Sequence, residues 1–303
     1  MNGPEILTVA QAMNLSSGFL AKKGSASPRL DAQILTAHAL GIRRLDLYLA
    51  PDRPLSELER DTLRKFLVRR SAGEPVAYIV GFREFFGLSF RVTPAVLVPR
   101  PETEAIVDAA LNLLDVMAGE GRTPLIAADV GTGSGAIACT IATRNADVRL
   151  VASDVSQPAM DVAVQNARTL EVADRIEFIR SDVLEDYPAG MSFDLIVSNP
   201  PYIAESEAGM VDASAIGFEP SHALFSGPEG TDMTYALIRQ SLSRLQPWGA
   251  LAVEIGTPAQ ASRVQERMRT AFESVTQIVD PSGAVRGLAG RCPRRGDSTE
   301  HSK

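Results

Sequence analysis

The chain of 303 residues carries 30 basic and 37 acidic side chains, a formal net charge of −7, and 45% of its residues are hydrophobic. This balance is typical of a two-domain globular protein and argues against nucleic-acid binding through overall positive charge. The two cysteines and three scattered histidines form neither a disulfide framework nor metal-ligand spacing, so no metal site is expected.

Residues 1–74 are predicted to form a small helical domain. Two segments, "EILTVAQAMNLSSGFLAKKG" and "PRLDAQILTAHALG", place apolar residues three and four apart and end in glycine. A third segment begins with Ser56 and Glu59 at the spacing of a capping box. Its basic stretch, residues 64–70, is interpreted as a solvated helix face, and a local contact with nucleic acid stays open.

Residues 75–98 change in character, because β-branched and aromatic residues now alternate around Gly81 and Gly87. This pattern predicts a β-hairpin. The hairpin would link the helical domain to the next domain.

Residues 99–293 alternate between strand-like and helix-like segments. Near-continuous apolar strands separated by helices predict an α/β fold, with a parallel sheet covered on both faces. Ligands of such sheets bind beyond the carboxyl ends of the strands. Residues 294–303 are predicted to be a disordered tail. The strand candidates are residues 124–130, 148–154, 175–182, 193–199 and 249–256.

The stretch "AADVGTGSGAIA" places Asp129, Gly131, Gly133 and Gly135 where the first strand meets its helix. The glycine spacing differs from the dinucleotide fingerprint, and the Gly-Lys-Ser/Thr of a phosphate loop is absent. The pattern D-x-G-x-G-x-G after a first strand resembles the S-adenosylmethionine loop of class I methyltransferases. The alternative is a tight glycine turn that binds nothing.

Two further carboxylates follow the next strands. Asp154 ends the second strand, where it can accept hydrogen bonds from both hydroxyls of a ribose, in an NAD enzyme as well as in a methyltransferase. Asp182 ends the third strand, at the turn that borders adenine in the methyltransferase fold, although a helix cap is the alternative. The predicted cofactor-binding residues are Asp129, Gly131, Thr132, Gly133, Ser134, Gly135, Asp154, Asp182, Val183 and Asn199.

The fourth strand ends in Asn199-Pro200-Pro201-Tyr202. Two prolines fix the backbone and remove two N–H donors, which leaves carbonyl oxygens as acceptors. The Asn199 side-chain oxygen and the Pro200 carbonyl can both accept from one planar NH₂ group, while Tyr202 holds its plane. These four residues are the predicted substrate-binding residues, and Asn199, Pro200 and Tyr202 are the predicted catalytic ones.

This loop suits methylation of an amide or an exocyclic amine. Such nitrogens are weak nucleophiles, so holding nitrogen, methyl carbon and sulfur in line is the main task. Proximity effects of this kind reach about 7–11 kcal/mol. The same tetrapeptide occurs in enzymes that methylate adenine or cytosine in DNA. It therefore indicates a planar NH₂ group without separating protein from nucleic acid.

Several segments, in order, resemble the HemK/PrmC family of glutamine N5-methyltransferases that act on peptide-chain release factors. The resemblance covers about residues 28–290, and "VLVPRPETE" joined to Asn-Pro-Pro-Tyr is its most telling part. "PETE" is also a helix start, with Glu102 and Glu104 favourable to the dipole. The other matching segments are "PRLDAQILTAHALG", "DVGTGSGAIA", "FEPSHALFSGPEGTD" and "VEIG".

The resemblance implies a class I methyltransferase domain after a small helical domain and a hairpin linker. The helical domain is amphipathic and carries no site motif, so we expect it to recognise the protein substrate. It implies S-adenosyl-L-methionine as cofactor and class I release factors as protein substrates, with no nucleic-acid substrate and no membrane. Asn199 and Pro200 would bind the glutamine amide of a Gly-Gly-Gln motif, beside Tyr202. Val183 stands where some members carry an aromatic residue.

Two alternatives to this function remain, a methyltransferase for an exocyclic amine in RNA or DNA and a non-catalytic nucleoside-binding module. The role of Glu219 and Pro220 also stays open, since they could cover the substrate or only pack. No run of eighteen apolar residues and no secretory signal pattern is present, so a cytoplasmic protein is expected.

Overall fold

The computed structural model describes residues 7–210 and 217–294. The described residues form two compact units. The first, which we call the helical unit, runs to Phe82 and includes Gly217 and Phe218. The second, the sheet unit, contains the described residues from Arg83 onward apart from those two. The predicted tail lies outside the described residues except for Arg294.

The helical unit confirms the predicted helices. Thr8 caps the first helix, and Ser56 and Glu59 form the predicted capping box of the third, with Ser56 N–H donating to Glu59 at 2.8 Å. Arg70, in the basic stretch, pairs with Asp31 at 2.8 Å and is largely buried. The helices are α1 (Val9–Lys22), α2 (Pro28–Leu40), α3 (Glu57–Ser71) and α4 (Val76–Val80), with a 3₁₀ turn at Arg44–Tyr48.

The linker begins differently from the predicted hairpin, because residues 76–80 form α4. Four consecutive residues of this run are buried, and periodicity cannot distinguish a buried helix turn from a strand. Gly81 then ends the helix in the left-handed conformation, with φ 84°. The hairpin itself follows, as β1 (Phe82–Phe85) and β2 (Leu88–Arg91).

A seven-stranded sheet forms the centre of the sheet unit, in the order β5-β4-β3-β6-β7-β9-β8. The five strands that were predicted are parallel to one another, and two unpredicted strands, β8 and β9, add an antiparallel edge. The α/β, Rossmann-like fold is therefore confirmed. The strands are β3 (Leu125–Val130), β4 (Val148–Asp154), β5 (Ile176–Arg180), β6 (Phe193–Ser198), β7 (Leu245–Glu254), β8 (Phe272–Val279) and β9 (Val285–Pro293).

Helices cover both faces of this sheet, as the apolar strands predict. Ile106, Leu114 and Ile141 belong to the core on one face, and Leu237 and Met268 belong to the core on the other. Within residues 7–210 and 217–294, no helix is both long and apolar enough to cross a membrane. The helices are α5 (Glu104–Gly119), α6 (Ala136–Arg144), α7 (Gln157–Thr169), α8 (Asp232–Ser241) and α9 (Pro258–Ala271).

The ends of the central strands meet at one edge. Val130 at the end of β3 pairs in register with Ser153 of β4 on one side and with Ser198 of β6 on the other. The buried Ser198 hydroxyl also donates to the Val130 carbonyl at 2.6 Å. The chain order reverses beside β3, so this is the switch point at which α/β sheets bind ligands.

Candidate active site

The loop after β3 is a tight glycine turn. Its first two N–H groups, from Gly131 and Thr132, both donate to the Ser153 carbonyl at 2.8 Å. Gly131 has φ 74° and Gly135 has φ 79°, a conformation that other residues rarely adopt. A Cβ on Gly135 would also lie 3.2 Å from the Cys139 sulfur, so α6 packs closely against the loop.

The Asp129 side chain fixes this loop through hydrogen bonds. Its fully buried carboxylate accepts from the Thr132 hydroxyl at 2.6 Å and from the Ala138 N–H at 3.0 Å, while Oδ1 has no partner among the described residues. Burial raises the pKa of this carboxyl to about 6. Asp129 ties the glycine turn to α6 and does not line the cavity, so direct cofactor contact by Asp129 stays a prediction.

Asp154 lies at the end of β4 and borders the cavity. One carboxylate oxygen accepts from the Gly133 N–H at 3.0 Å, and the other accepts from the Ser156 N–H at 2.9 Å. A carboxylate has about four acceptor positions, so each oxygen can still accept a ribose hydroxyl. These backbone contacts also fix the carboxylate against the glycine loop.

A cavity lies over these strand ends, and its free space, with the open solvent included, is about 920 Å³. Nine predicted residues line it, and four others, Asp129, Gly135, Pro200 and Tyr202, do not. The structure thus brings most of the predicted cofactor residues to one cavity. The predicted residues that line it are Gly131, Thr132, Gly133, Ser134, Asp154, Asp182, Val183, Asn199 and Pro201.

Val183 is held in a strained conformation at this cavity. Its φ is 53°, although a β-branched side chain strongly disfavours that region. The next N–H, of Leu184, donates to the Gln240 side chain at 2.8 Å, and Asp182 N–H donates to Asp186 at 3.3 Å. Backbone strain of this kind costs about 1–3 kcal/mol and concentrates at ligand-binding positions. The sequence carries no signal for it.

Part of the Asn-Pro-Pro-Tyr loop lines the cavity, and part of it packs into the protein interior. Asn199 and Pro201 line the cavity, and the Asn199 Nδ2 group donates to the Thr103 hydroxyl at 3.1 Å. The Tyr202 ring packs on Gly256, where a Cβ would lie 2.3 Å from it. The Tyr202 carbonyl accepts from the Gln260 side chain of α9. Tyr202 is therefore held in place from two sides.

The Tyr202 phenol stays protonated at neutral pH. Burial, and then the negative charge of Glu254, raise its pKa to about 12. The ring is therefore neutral, and its role beside the substrate amide stays a prediction, since Tyr202 does not line the cavity.

Some lining residues were not predicted. Arg100 and Thr103 lie in "VLVPRPETE", which was interpreted as a helix start as well as a family segment. His222 lies in the family segment "FEPSHALFSGPEGTD", to which no site role was given, and Met233 follows that segment directly. Thr103 comes next to the substrate loop only in the folded chain, so no sequence pattern could have indicated its place in the site.

The structure also answers the question of Glu219. Its carboxylate, 5% exposed, accepts from the Val98 N–H at 3.1 Å and pairs with Arg100 at 2.5 Å. Glu219 therefore packs, and it holds the start of the segment 219–223 against the Pro99–Thr103 stretch that borders the cavity.

Comparison with known proteins decides the family. A model described as the PrmC N-terminal domain matches residues 11–81, and one described as the methyltransferase small domain matches residues 104–227. A release factor glutamine methyltransferase of Rhodopirellula baltica is 39% identical over 283 residues, which cover 93% of this chain and 95% of that protein. The chain belongs to the release factor glutamine methyltransferase family. A further member, from Bradyrhizobium diazoefficiens, is 42% identical over 264 residues, or 86% of this chain and 87% of that one.

A solved structure supports the fold. The hMettl16 catalytic domain, in complex with a 3'UTR hairpin, is 16% identical and matches with a TM-score of 0.56 over 91% of this chain and 90% of that one. At this identity the likeness concerns the fold alone.

The cofactor of this family is S-adenosyl-L-methionine, and the lining residues fit it. The carboxylates of Asp154 and Asp182 face the cavity, beside apolar Ile137 and Met233. Both carboxylates can accept hydrogen bonds from a nucleoside, and their negative charge suits the positive sulfonium of this cofactor. Gly133 adds open space, because a Cβ there would meet no described atom within 4 Å.

Proposed function

We propose that the chain transfers a methyl group from S-adenosyl-L-methionine to the N5 amide nitrogen of the glutamine in the Gly-Gly-Gln motif of class I release factors. The observation that carries this is the orientation of Asn199. Its Nδ2 group is occupied by Thr103, so its Oδ1 is left as an acceptor beside the cavity that Asp154 and the glycine loop border. Curated relatives named release factor glutamine methyltransferase support the choice of substrate.

In this proposal each residue has a limited task. Asp154 and the glycine loop hold the nucleoside, and Asp182 and Val183 border its base. Asn199 Oδ1 and the Pro200 carbonyl accept from the two N–H groups of the glutamine amide, and the Tyr202 ring supports the plane of that amide. When bound, the cofactor would supply a methyl group on a sulfonium sulfur: the N–C bond would form as the S–C bond breaks, and S-adenosylhomocysteine would leave as a neutral thioether. Because that methyl group needs no further activation, the residues act by orientation, and the methylated amide nitrogen then loses one proton to solvent.

A labelling experiment tests this function. Incubation with methyl-tritiated S-adenosylmethionine should label a purified release factor, and should not label the same factor with its Gly-Gly-Gln glutamine replaced by alanine. RNA and DNA, offered in parallel, should stay unlabelled. Label in RNA or DNA would instead support the exocyclic-amine alternative, and cofactor binding with no labelled acceptor would support the nucleoside-binding module.

We further infer that the helical unit recognises the protein substrate, with the domain boundaries predicted above. Three large apolar side chains of this unit are exposed, Leu45 at 72%, Tyr48 at 51% and Leu49 at 79%. They share one 3₁₀ turn and its C-cap, at Arg44–Leu49. Such an exposed apolar group on a unit without site motifs suits docking of another protein. The cytoplasm remains the predicted location.

Replacing both Leu45 and Leu49 with serine should raise KM for the full release factor several-fold and leave the rate with a short Gly-Gly-Gln peptide unchanged. Methylation kinetics with the two substrates measure this. A matched control replaces exposed Leu15 and Leu58 of the same unit, at 66% and 77% exposure. Equal losses for both pairs, or for both substrates, would contradict a docking role for this turn.

A further inference from the structure

Thr103 and Glu254 form a buried polar pair behind Asn199. Asn199 follows β6 and Glu254 ends the neighbouring β7, whose Val253 pairs with Ser198. Thr103 lies in the turn that precedes α5. Its hydroxyl accepts from Asn199 Nδ2 at 3.1 Å, and it is close enough to the Glu254 carboxylate to lower the pKa of that group. Thr103 is 4% exposed and Glu254 is 3% exposed.

The number of available hydrogens decides which of these groups donates and which accepts. A threonine hydroxyl has one hydrogen, and an ionised carboxylate can only accept. An ionised Glu254 attracts the Thr103 hydrogen, and the Thr103 oxygen then faces Asn199 as an acceptor. Asn199 then presents Nδ2 to Thr103 and keeps Oδ1 on its other side.

Burying a carboxylate at this position costs free energy. The Glu254 Oε2 atom has no hydrogen-bond partner among the described residues. A buried polar atom without a partner costs about 1–3 kcal/mol, which an apolar side chain would avoid. Glu254 therefore contributes something that packing alone does not require.

We propose that Glu254, acting through Thr103, sets the direction in which the Asn199 amide faces, so that both are positioning residues for methyl transfer. The inference rests on the proposed function, since it assigns Asn199 Oδ1 to the substrate amide. It adds Thr103, which borders the cavity and contacts Asn199, and Glu254, which acts through Thr103.

The pair should also make the reaction sensitive to pH. Burial, and to a smaller degree the charge of Glu102, raise the pKa of Glu254 to about 7, while the Thr103 hydroxyl, Arg286 and Arg100 oppose the rise. The neutral Tyr202 phenol is a further neighbour. Protonated Glu254 can donate to the Thr103 oxygen, which frees the Thr103 hydrogen to donate to Asn199 Oδ1 and turns the amide around. The methylation rate should therefore rise with pH through 7.

Single-turnover methylation of a release factor, with cofactor and factor both saturating, tests the pair. Thr103→Val should slow the step about tenfold or more, because a misdirected amide displaces the reacting nitrogen. Thr103→Ser keeps the hydroxyl and should recover most of the rate. Thr140→Val is the matched control, since it removes another buried hydroxyl, which donates to Ala136 O at 2.6 Å, and it should react at close to the wild-type rate. Glu254→Gln, which cannot ionise, should lose the rise in rate through pH 7.

A second measurement is independent of the substrate. The side-chain amide NMR signal of Asn199 should titrate near pH 7 in the wild-type chain and stay constant in Glu254→Gln and Thr103→Val. A wild-type chain that methylates no release factor would contradict the proposed function. The titration of the Asn199 signal would still show whether Glu254 controls the orientation of the Asn199 amide. The positioning role is overturned if the Asn199 signal does not titrate, if Thr103→Val matches Thr140→Val, or if serine fails to recover the rate.

Discussion

Replacing Asn199 with alanine should abolish methyl transfer and spare most of the cofactor affinity. The proposed substrate amide has two N–H donors in one plane, and alanine leaves only the Pro200 carbonyl to accept one of them. The amide can then rotate, and a displacement near 1 Å costs on the order of a hundredfold in rate. The unpaired N–H in a closed site costs about another 1–3 kcal/mol. Single-turnover methylation at saturating cofactor, with a direct binding measurement, gives both quantities.

Asn145→Ala is a suitable control for this experiment. Asn145 caps the end of α6, and its side-chain oxygen accepts from the Asp147 N–H at 3.1 Å, so the change removes an asparagine outside the cavity lining. Its methylation rate should match the wild type. Near-normal turnover in Asn199→Ala would defeat the role assigned to the Asn-Pro-Pro-Tyr loop.

Asp154→Ala should weaken S-adenosylmethionine binding by about ten- to a hundredfold. Hydrogen bonds to a charged group contribute about 1.5–3 kcal/mol, and each 1.4 kcal/mol is a factor of ten in affinity. The structure adds a second cause, because alanine also releases the Gly133 and Ser156 N–H groups from the carboxylate. Asp154→Asn should lose less affinity, since its amide oxygen can still accept one of these bonds.

Titration calorimetry measures this effect, with circular dichroism to show that the fold is kept. Asp161→Ala is the matched control, because that exposed carboxylate of α7 accepts from Gln157 at 2.9 Å and lies outside the cavity lining. Unchanged affinity in Asp154→Ala would remove Asp154 from the cofactor site.

The parallel core of the fold could be predicted because its strands are apolar almost throughout. The bounds of β4 are the predicted ones, and six of its seven residues are buried. The edge was missed for the opposite reason, since β8 (Phe272–Val279) has mostly exposed residues and exists through its pairing with β9. Such pairing depends on distant residues, which local patterns do not encode.

The residues of the site also include some that the sequence predicts and some that it does not. The residues at the strand ends could be predicted, because a single topological rule places Asp154, Asp182 and Asn199 at one edge. The polar pair behind Asn199 could not, because Thr103 and Glu254 come from a turn and a strand far apart in the chain. The strain at Val183, with φ 53°, was equally hidden, since valine ordinarily predicts extended backbone.

The hydrogen bond from Ser198 to the Val130 carbonyl has a consequence for how such an enzyme can diverge. It joins two neighbouring parallel strands at the point where each passes into its loop, so the glycine turn and the Asn-Pro-Pro-Tyr loop share one rigid base. The geometry of methyl transfer is thus inherited with the sheet. Under the proposed division of roles, the helical unit is where new acceptors would be engineered, with the two loops that orient the methyl group and the amide left unchanged.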